Sequence, residues 1–251
     1  MKVGIIIPAR LNSERLPNKV LRQFQGKSMI EHTWQRAKLM NNQIECVIAT
    51  DSNEILSVAE NFGATVVKTK RSHPNGLSRA KEVLENLDWD YVIILQADEI
   101  LVVPKDLDDL SKDINDKYDF YNLITRVEDS SELENVNVVK CVLKQDRTIL
   151  NIFRKNGFIS KQDKQLEFVK KICGTFAISR KLLLSVDLTN HSLIGLQESI
   201  EQLSILENNI EILGIEIENH FISVNTEEEA IEADLILTDN KLQKEIFSKY
   251  Q

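Results

Sequence analysis

Residues 8–19 read Pro8-Ala9-Arg10-Leu11-Asn12-Ser13-Glu14-Arg15-Leu16-Pro17-Asn18-Lys19. At this spacing the guanidinium forks of Arg10 and Arg15 and the ammonium of Lys19 can grip the oxygens of a triphosphate. Within residues 1–30, Lys2, Arg10, Arg15, Lys19, Arg22 and Lys27 stand against Glu14 alone, six positive charges against one, in a chain of net charge −8. A cationic loop on an anionic body draws a polyanion to one place and repels it elsewhere. Taken alone, the same stretch also reads as a solvated basic loop.

A second group, Gln96-Ala97-Asp98-Glu99, follows the apolar run Val92–Leu95. An aspartate there, near a phosphate loop, can hold Mg²⁺ against phosphate oxygens; it can equally cap the next turn. Gln96 carries an acceptor and two donors in one plane and can read a base or a sugar hydroxyl. In Ser199-Ile200-Glu201-Gln202-Leu203 the spacing puts Ile200, Leu203 and Leu206 on a core stripe of a helix. Glu201 and Gln202 fall off that stripe, where they meet either a polyol or solvent. Arg154, at the end of a strand, is a candidate carboxylate clamp. Neither GxxxxGK[ST] nor GxGxxG follows the first strand, which argues against a P-loop ATPase and a dinucleotide-binding enzyme.

These residues need a scaffold that ends buried strands at one edge. Val3–Ile7, Cys46–Ala49, Thr65–Val67 and Tyr91–Leu95 are short apolar runs of the kind buried on both faces of a parallel sheet. Helical segments over Met29–Met40, Asn53–Phe62 and Leu77–Leu87 lie between them. In the second of these, Ile55, Val58, Ala59 and Phe62 form one stripe. The alternation is that of a doubly wound α/β fold, whose loops at the carboxyl edge form the ligand crevice.

Past residue 119 the pattern changes: Phe120–Val127, Val138–Leu143, Thr148–Phe153 and Phe168–Ser179 predict a mixed or antiparallel extension. Helices are expected at Gln197–Glu207 and Thr226–Leu237, the latter capped by Thr226 with acidic residues at its positive end. The polar stretch Asn156–Lys164 reads as a mobile loop. No repeat or linker interrupts the chain, so residues 1–251 read as one continuous domain with an inserted or appended lobe.

Composition narrows the class further. At 251 residues, 42% hydrophobic and with only 8 Gly and 4 Pro, the chain can bury a large core and is not fibrous or disordered. Its acidity argues against a nucleic-acid partner. Cys46, Cys141 and Cys173 form no CxxC pair, and four scattered histidines form no metal motif. The N-terminal apolar stretch is too short for a signal peptide, and no 18-residue apolar run exists for a membrane span. The expectation is a cytoplasmic protein with no membrane partner.

With these pieces in order, the chain resembles the 3-deoxy-manno-octulosonate (Kdo) cytidylyltransferase family, the CMP-Kdo synthetases. The resemblance rests on Ile6-Ile7-Pro8-Ala9-Arg10 with Ser13, Arg15-Leu16-Pro17, Lys19 and Gly26-Lys27-Ser28-Met29-Ile30. It continues through Val47-Ile48-Ala49-Thr50-Asp51, Gly76 with Arg79 and Glu82-Val83, Gln96-Ala97-Asp98-Glu99, Asn137-Val138-Val139-Lys140 and Phe153-Arg154. Ser199–Leu203, Leu206-Glu207-Asn208 and Ser223–Glu228 carry it nearly to the end.

That resemblance implies a nucleotide-diphospho-sugar transferase fold: a Rossmann-like, mostly parallel sheet forming one nucleotidyltransferase domain. It also implies a homodimer and a Mg²⁺-dependent enzyme of lipopolysaccharide biosynthesis that couples CTP to Kdo, or to a relative such as an amino-substituted Kdo, with release of pyrophosphate. Arg10, Ser13 and the Ala9 backbone would meet the nucleotide, Arg15 and Lys19 its phosphates, and Arg79 and Gln96 would orient base and sugar. Asp98, joined by Asn225, would hold the metal, and Arg154, Glu201 and Gln202 the sugar.

Four departures from the family pattern bear on substrate and activity. Asn225 replaces an aspartate and removes one negative charge from the metal site. Ile172 stands where a histidine faces the sugar. Leu77-Ser78 replaces a threonine and an acidic residue. Ala97-Asp98-Glu99-Ile100 replaces Gly-Asp-Glu-Pro. They leave open a different acidic sugar or nucleotide, or a nucleotide-binding homologue with weakened or lost turnover.

Overall fold

The computed structural model describes every residue except 12, 14, 43, 71, 72, 74, 156–163, 186–192 and 220. Internal contacts divide the chain into two compact units, Met1–Lys112 with Phe221–Gln251, and Asp113–His220.

The first unit opens with strand β1 (Val3–Ala9), a 3₁₀ turn (Lys19–Leu21) and a small hairpin of β2 (Gln23–Phe24) and β3 (Lys27–Ser28). Helix α1 (Met29–Lys38), β4 (Glu45–Thr50), α2 (Asn53–Asn61), β5 (Thr65–Lys68), α3 (Gly76–Leu84), β6 (Tyr91–Ile94) and α4 (Pro104–Asp113) follow. β1 pairs in parallel with β4 and β6, and β4 with β5, giving the order β6-β1-β4-β5. This is the parallel sheet expected from the apolar runs. Ile5, Ile6, Ile7, Ile48, Ile93 and Ile94 are wholly buried within it. Gly4 is required by packing: a Cβ there would lie 2.2 Å from the Trp89 ring.

Helix starts follow local chemistry. Ser28 caps α1, Ser52 caps α2, and Asn75 with Ser78 forms a reciprocal box at α3. On α2 the stripe is met in part: Ile55 and Ala59 are buried, Val58 and Phe62 half-buried.

In the second unit β7 (Phe120–Arg126), α5 (Ser130–Glu134), β8 (Lys140–Leu143), β9 (Ile149–Phe153), α6 (Gln165–Phe168) and β10 (Val169–Ser179) come first. Helices α7 (Arg180–Ser185), α8 (Leu193–Glu198) and α9 (Glu201–Glu207) precede β11 (Ile212–Glu216). β10 runs antiparallel to β7 and β8, β8 antiparallel to β9, and β11 parallel to β7, as a mixed extension requires. The expected loop at Asn156–Lys164 lies, except for Lys164, outside the described residues.

The chain then returns to the first unit with α10 (Glu227–Asp239) and α11 (Lys241–Phe247). Thr226 caps α10 as expected, in a reciprocal box with Glu229. One helix departs from expectation. The segment 197–207 is broken at Ser199, whose φ of 53° is left-handed, so α8 ends and α9 begins where a single helix was expected.

Candidate functional site

The basic loop leaves β1 at its carboxyl end. Buried Leu16 and Val20 tie its far side to the core, and Asn18, at φ 53°, turns the chain into the 3₁₀ turn that presents Lys19. Ala9 is buried, Ser13 half-buried, and Arg10 and Arg15 exposed.

Lys19 Nζ donates to Asp98 Oδ2 at 2.6 Å, to Asn225 Oδ1 at 3.0 Å and to the Val224 carbonyl at 3.3 Å. Arg15 Nη2 reaches the same Asn225 oxygen at 3.3 Å. Lys19, Asp98, Arg15 and Asn225 are thus brought together, three oxygens converging on one cationic atom. Asp98 is itself held from several sides. The Val224 amide donates to its carbonyl, Thr33 Oγ1 to Ala97 O, and Ser223 Oγ to Glu99 Oε1 at 2.7 Å. Further along this loop, Gln243 Nε2 and Arg36 Nη1 donate to the carbonyls of Leu101 and Val102. An acid ending a buried strand becomes a fixed acid because its own carbonyl and that of Ala97 are anchored.

A cavity of about 990 Å³ is lined by Arg10, Leu11, Asp51, Ser52, Asn53, Glu54, His73 and Arg79. Arg79 is buried; its Nη2 lies 2.9 Å from Asp51 Oδ1 and its Nη1 donates to Thr69 Oγ1. The start of α3 closes on β1 and Gln96: a Cβ on Gly76 would lie 3.2 Å from Pro8 Cγ and 3.7 Å from Gln96 Nε2. His73 pairs with Glu82, and this contact, with the Lys70 amide, holds the Glu82 carboxyl below the usual range although desolvation opposes it. Sequence reasoning alone assigns no chemistry to Asp51 or His73. Asp51 carries the signal that Asp98 does, an acid at the carboxyl end of a buried strand.

In the second unit Arg154 Nε donates to Glu198 O at 2.7 Å, and Nη1 to the carbonyls of Val136 and Asn137. Lys140, wholly buried, gives its ammonium to Asn135 O at 2.7 Å and Glu132 O at 3.4 Å. Burial, then the charge of Arg154, lowers its pKa. Glu201 is half-buried.

Gln202 corrects the helix-face reading. It is buried, and its Nε2 donates to the buried Asn122 Oδ1 at 2.9 Å, so it does not lie on a solvated face. The break at Ser199 resets the helix phase and turns Gln202 inward beside Leu203, Ser204 and Ile205, leaving Leu206 half-buried. Ile172 is also half-buried.

Burial pushes the Cys46 and Cys141 thiols up to about 12, which removes them as nucleophiles. Among the described residues no three His, Cys, Asp or Glu side chains form a metal cluster, and no helix is long and apolar enough to cross a membrane.

A parallel sheet with a cationic loop and a fixed acid at its carboxyl edge is the architecture of a nucleotidyltransferase. Residues 4–212 match the cytidylyltransferase family, and the chain belongs to that family. Within it the similarity is to the 3-deoxy-manno-octulosonate cytidylyltransferases. The protein of that name from Chlorobium limicola is 33% identical over 234 residues, 91% of this chain and 94% of its own. The mitochondrial one from Arabidopsis thaliana is 30% identical, covering 94% of this chain and 83% of its own. A solved CMP:2-keto-3-deoxy-manno-octonic acid synthetase complexed with CTP superposes with a TM-score of 0.88 at 27% identity, over 94% of this chain and 98% of its own.

Proposed function

We propose that this chain transfers the cytidylyl group of CTP to the anomeric hydroxyl of Kdo, giving CMP-Kdo and pyrophosphate. The observation that carries the reading is the convergence of Lys19, Arg15, Asp98 and Asn225 on one point; in the same unit Arg10 and Arg79 line a cavity. In the reaction the sugar oxygen forms a bond to the α-phosphorus, the bond to the pyrophosphate oxygen breaks, and the hydroxyl proton leaves to solvent. Both reactants are anions, so positioning and charge stabilisation supply most of the catalysis.

Each residue has a distinct task in this reading. Arg10, Ser13 and the Ala9 backbone meet the nucleotide, Arg15 and Lys19 the phosphates, and Arg79 and Gln96 the base and sugar. Arg154 with Glu201 holds the octulosonate. Among the described residues, Arg154 uses Nε and Nη1 on peptide carbonyls, and its guanidinium charge is the group this reading assigns to the sugar carboxylate. Gln202 acts on the sugar only by giving up its contact with Asn122.

The donor set at Lys19 suits Mg²⁺. Asp98 Oδ2, Asn225 Oδ1 and the Val224 carbonyl already surround one cationic atom, and Mg²⁺ is typically held by one or two carboxylates plus substrate phosphates. Asp98 and Asn225 would hold it. When bound, it would supply charge neutralisation at the phosphate oxygens. Lys19 would then turn from Asp98 to the phosphates. We further propose a cytoplasmic homodimer in which residues 1–251 act as one nucleotidyltransferase domain; Leu193, Ile194 and Leu196, exposed on α8, support a partner surface.

The test is pyrophosphate release with CTP, Mg²⁺ and a panel of acidic sugars. Release with Kdo supports the reading. Release only with an amino-substituted Kdo keeps the class and moves the substrate, and no release with any sugar or nucleotide overturns it. Asn225 favours a second reading, a weakened enzyme, because it gives the cation site one charge fewer than an aspartate would. Asn225→Asp then raises turnover.

A further inference from the structure

Arg79 lines the cavity, yet its side chain is only 5% exposed and it is bracketed on two sides. Asp51, just past β4, takes Nη2 at 2.9 Å; Thr69, just past β5, accepts from Nη1. The backbone of Arg79 is fixed as firmly: it lies in the first turn of α3, where the Asn75–Ser78 box sets the helix start and Gly76 packs on Pro8. The guanidinium is therefore held at both terminal nitrogens.

Charge separates this arginine from its neighbours. Arg10 and Arg15 are exposed on the loop, whereas Arg79 has its charge met by a carboxylate in a buried setting. A neutralised guanidinium attracts a phosphate weakly but keeps its geometry as a planar, donor-only fork. Such a fork suits a neutral ligand edge that carries acceptors. Cytosine offers two neighbouring acceptors, the 2-carbonyl oxygen and the unprotonated ring nitrogen N3. Uracil carries a hydrogen on N3, so a fixed donor meets a donor there. A site built on fixed polar groups rejects a mismatched partner because it leaves buried groups unpaired.

We propose that Asp51 is a positioning residue for base selection: it orients Arg79 and cancels its charge, so that Arg79 reads the acceptor edge of cytosine rather than a phosphate. This rests on the CTP reading above. In this inference Asp51 works through Arg79 and is assigned no contact with the substrate.

The experiment is a double-mutant cycle on the full chain with Asp51→Asn, Arg79→Gln and the pair combined. Pyrophosphate release is measured with CTP and with UTP. Asp51→Asn is expected to raise the KM for CTP about 10-fold or more, to leave kcat within about 3-fold, and to shrink the preference for CTP over UTP by a similar factor. In the Arg79→Gln background Asp51→Asn adds less than about 2-fold, because a residue acting through another has nothing left to act on.

An unchanged CTP preference in Asp51→Asn, or the same loss with and without Arg79, overturns the inference. Should Asp51→Asn fail to fold, Thr69→Val removes the other bracket, and its CTP preference decides in the same direction. Wild-type protein that neither binds nor consumes CTP overturns the function reading and this inference together. A wild-type preference that survives Asp51→Asn overturns only the inference.

Discussion

Four cations, two in each unit, are held by opposite means. In the first, Lys19 meets Asp98 and Arg79 meets Asp51, each a carboxylate. In the second, Lys140 and Arg154 meet peptide carbonyls, of Glu132 and Asn135 for the lysine and of Val136, Asn137 and Glu198 for the arginine. A carboxylate cancels the charge and can be exchanged for a phosphate or a divalent cation. A carbonyl satisfies the N–H donors and leaves the positive charge in place. The Lys19–Asp98 pair suits a site that must rearrange around a metal and a triphosphate, whereas the more deeply buried Arg79–Asp51 pair stays fixed. The second unit's arrangement suits a standing attraction for the carboxylate of an acidic sugar. Lys171, which pairs with Glu132, marks where the second unit cancels a charge instead.

The largest effect tests the exchangeable pair. Asp98→Ala is expected to lower kcat/KM by about 1,000-fold, roughly 4 kcal/mol, in a pyrophosphate-release assay. Activity within tenfold of wild type would mean that the pair is only structural. Next comes Arg154→Gln, which removes the standing charge. It should raise the KM for Kdo about 10- to 100-fold while the KM for CTP stays within about 3-fold. Equal changes in both constants would erase the division of labour.

Acid provides a third contrast, because the first unit buries a histidine. Desolvation lowers His32 to about 4, against the pull of its bond to Phe24 O, and the Arg36 charge adds to the lowering. The unfolded chain therefore binds this proton near pH 6.5 and the folded chain does not. Stability is full above 6.5 and falls as pH drops towards 4, by about 2 kcal/mol at pH 5. Denaturant midpoints of wild type and His32→Asn between pH 7 and 5 should show the smaller slope in the variant.

The smallest effect lies on the alkaline side. Burial lowers the Lys140 pKa, so the folded chain gives up this proton before the unfolded one does. This residue's contribution therefore makes stability rise with pH up to the ordinary lysine value, opposite to a lysine that has gained a carboxylate. Lys140→Met should abolish that slope; a slope of the other sign would place a carboxylate beside Lys140.

Much of this arrangement is legible in the sequence. Strands β1, β4, β5 and β6 announce themselves as apolar runs, and their order places the loops of Arg10 and Asp98 at one edge. Thr226 with Glu229 marks the start of α10 as its side-chain chemistry requires. Other features had no local signal. The Val224 carbonyl at Lys19 is main chain, which every residue possesses. Gln202 turned inward because Ser199 adopts a left-handed angle that its residue type does not announce. The helix at Pro104–Asp113 and strand β11 were not anticipated. Arg154 was recognisable as a cation, but the carbonyls that hold it come from residues 17, 18 and 44 positions away in sequence.

Calorimetric titration of CTP into the wild-type chain and into Lys19→Met, with Mg²⁺ present, tests the central claim most directly. The account predicts binding to wild type and at least a tenfold weaker affinity in the variant, since the phosphates would lose the ammonium that turns to them from Asp98. Equal affinity in the two proteins would contradict it.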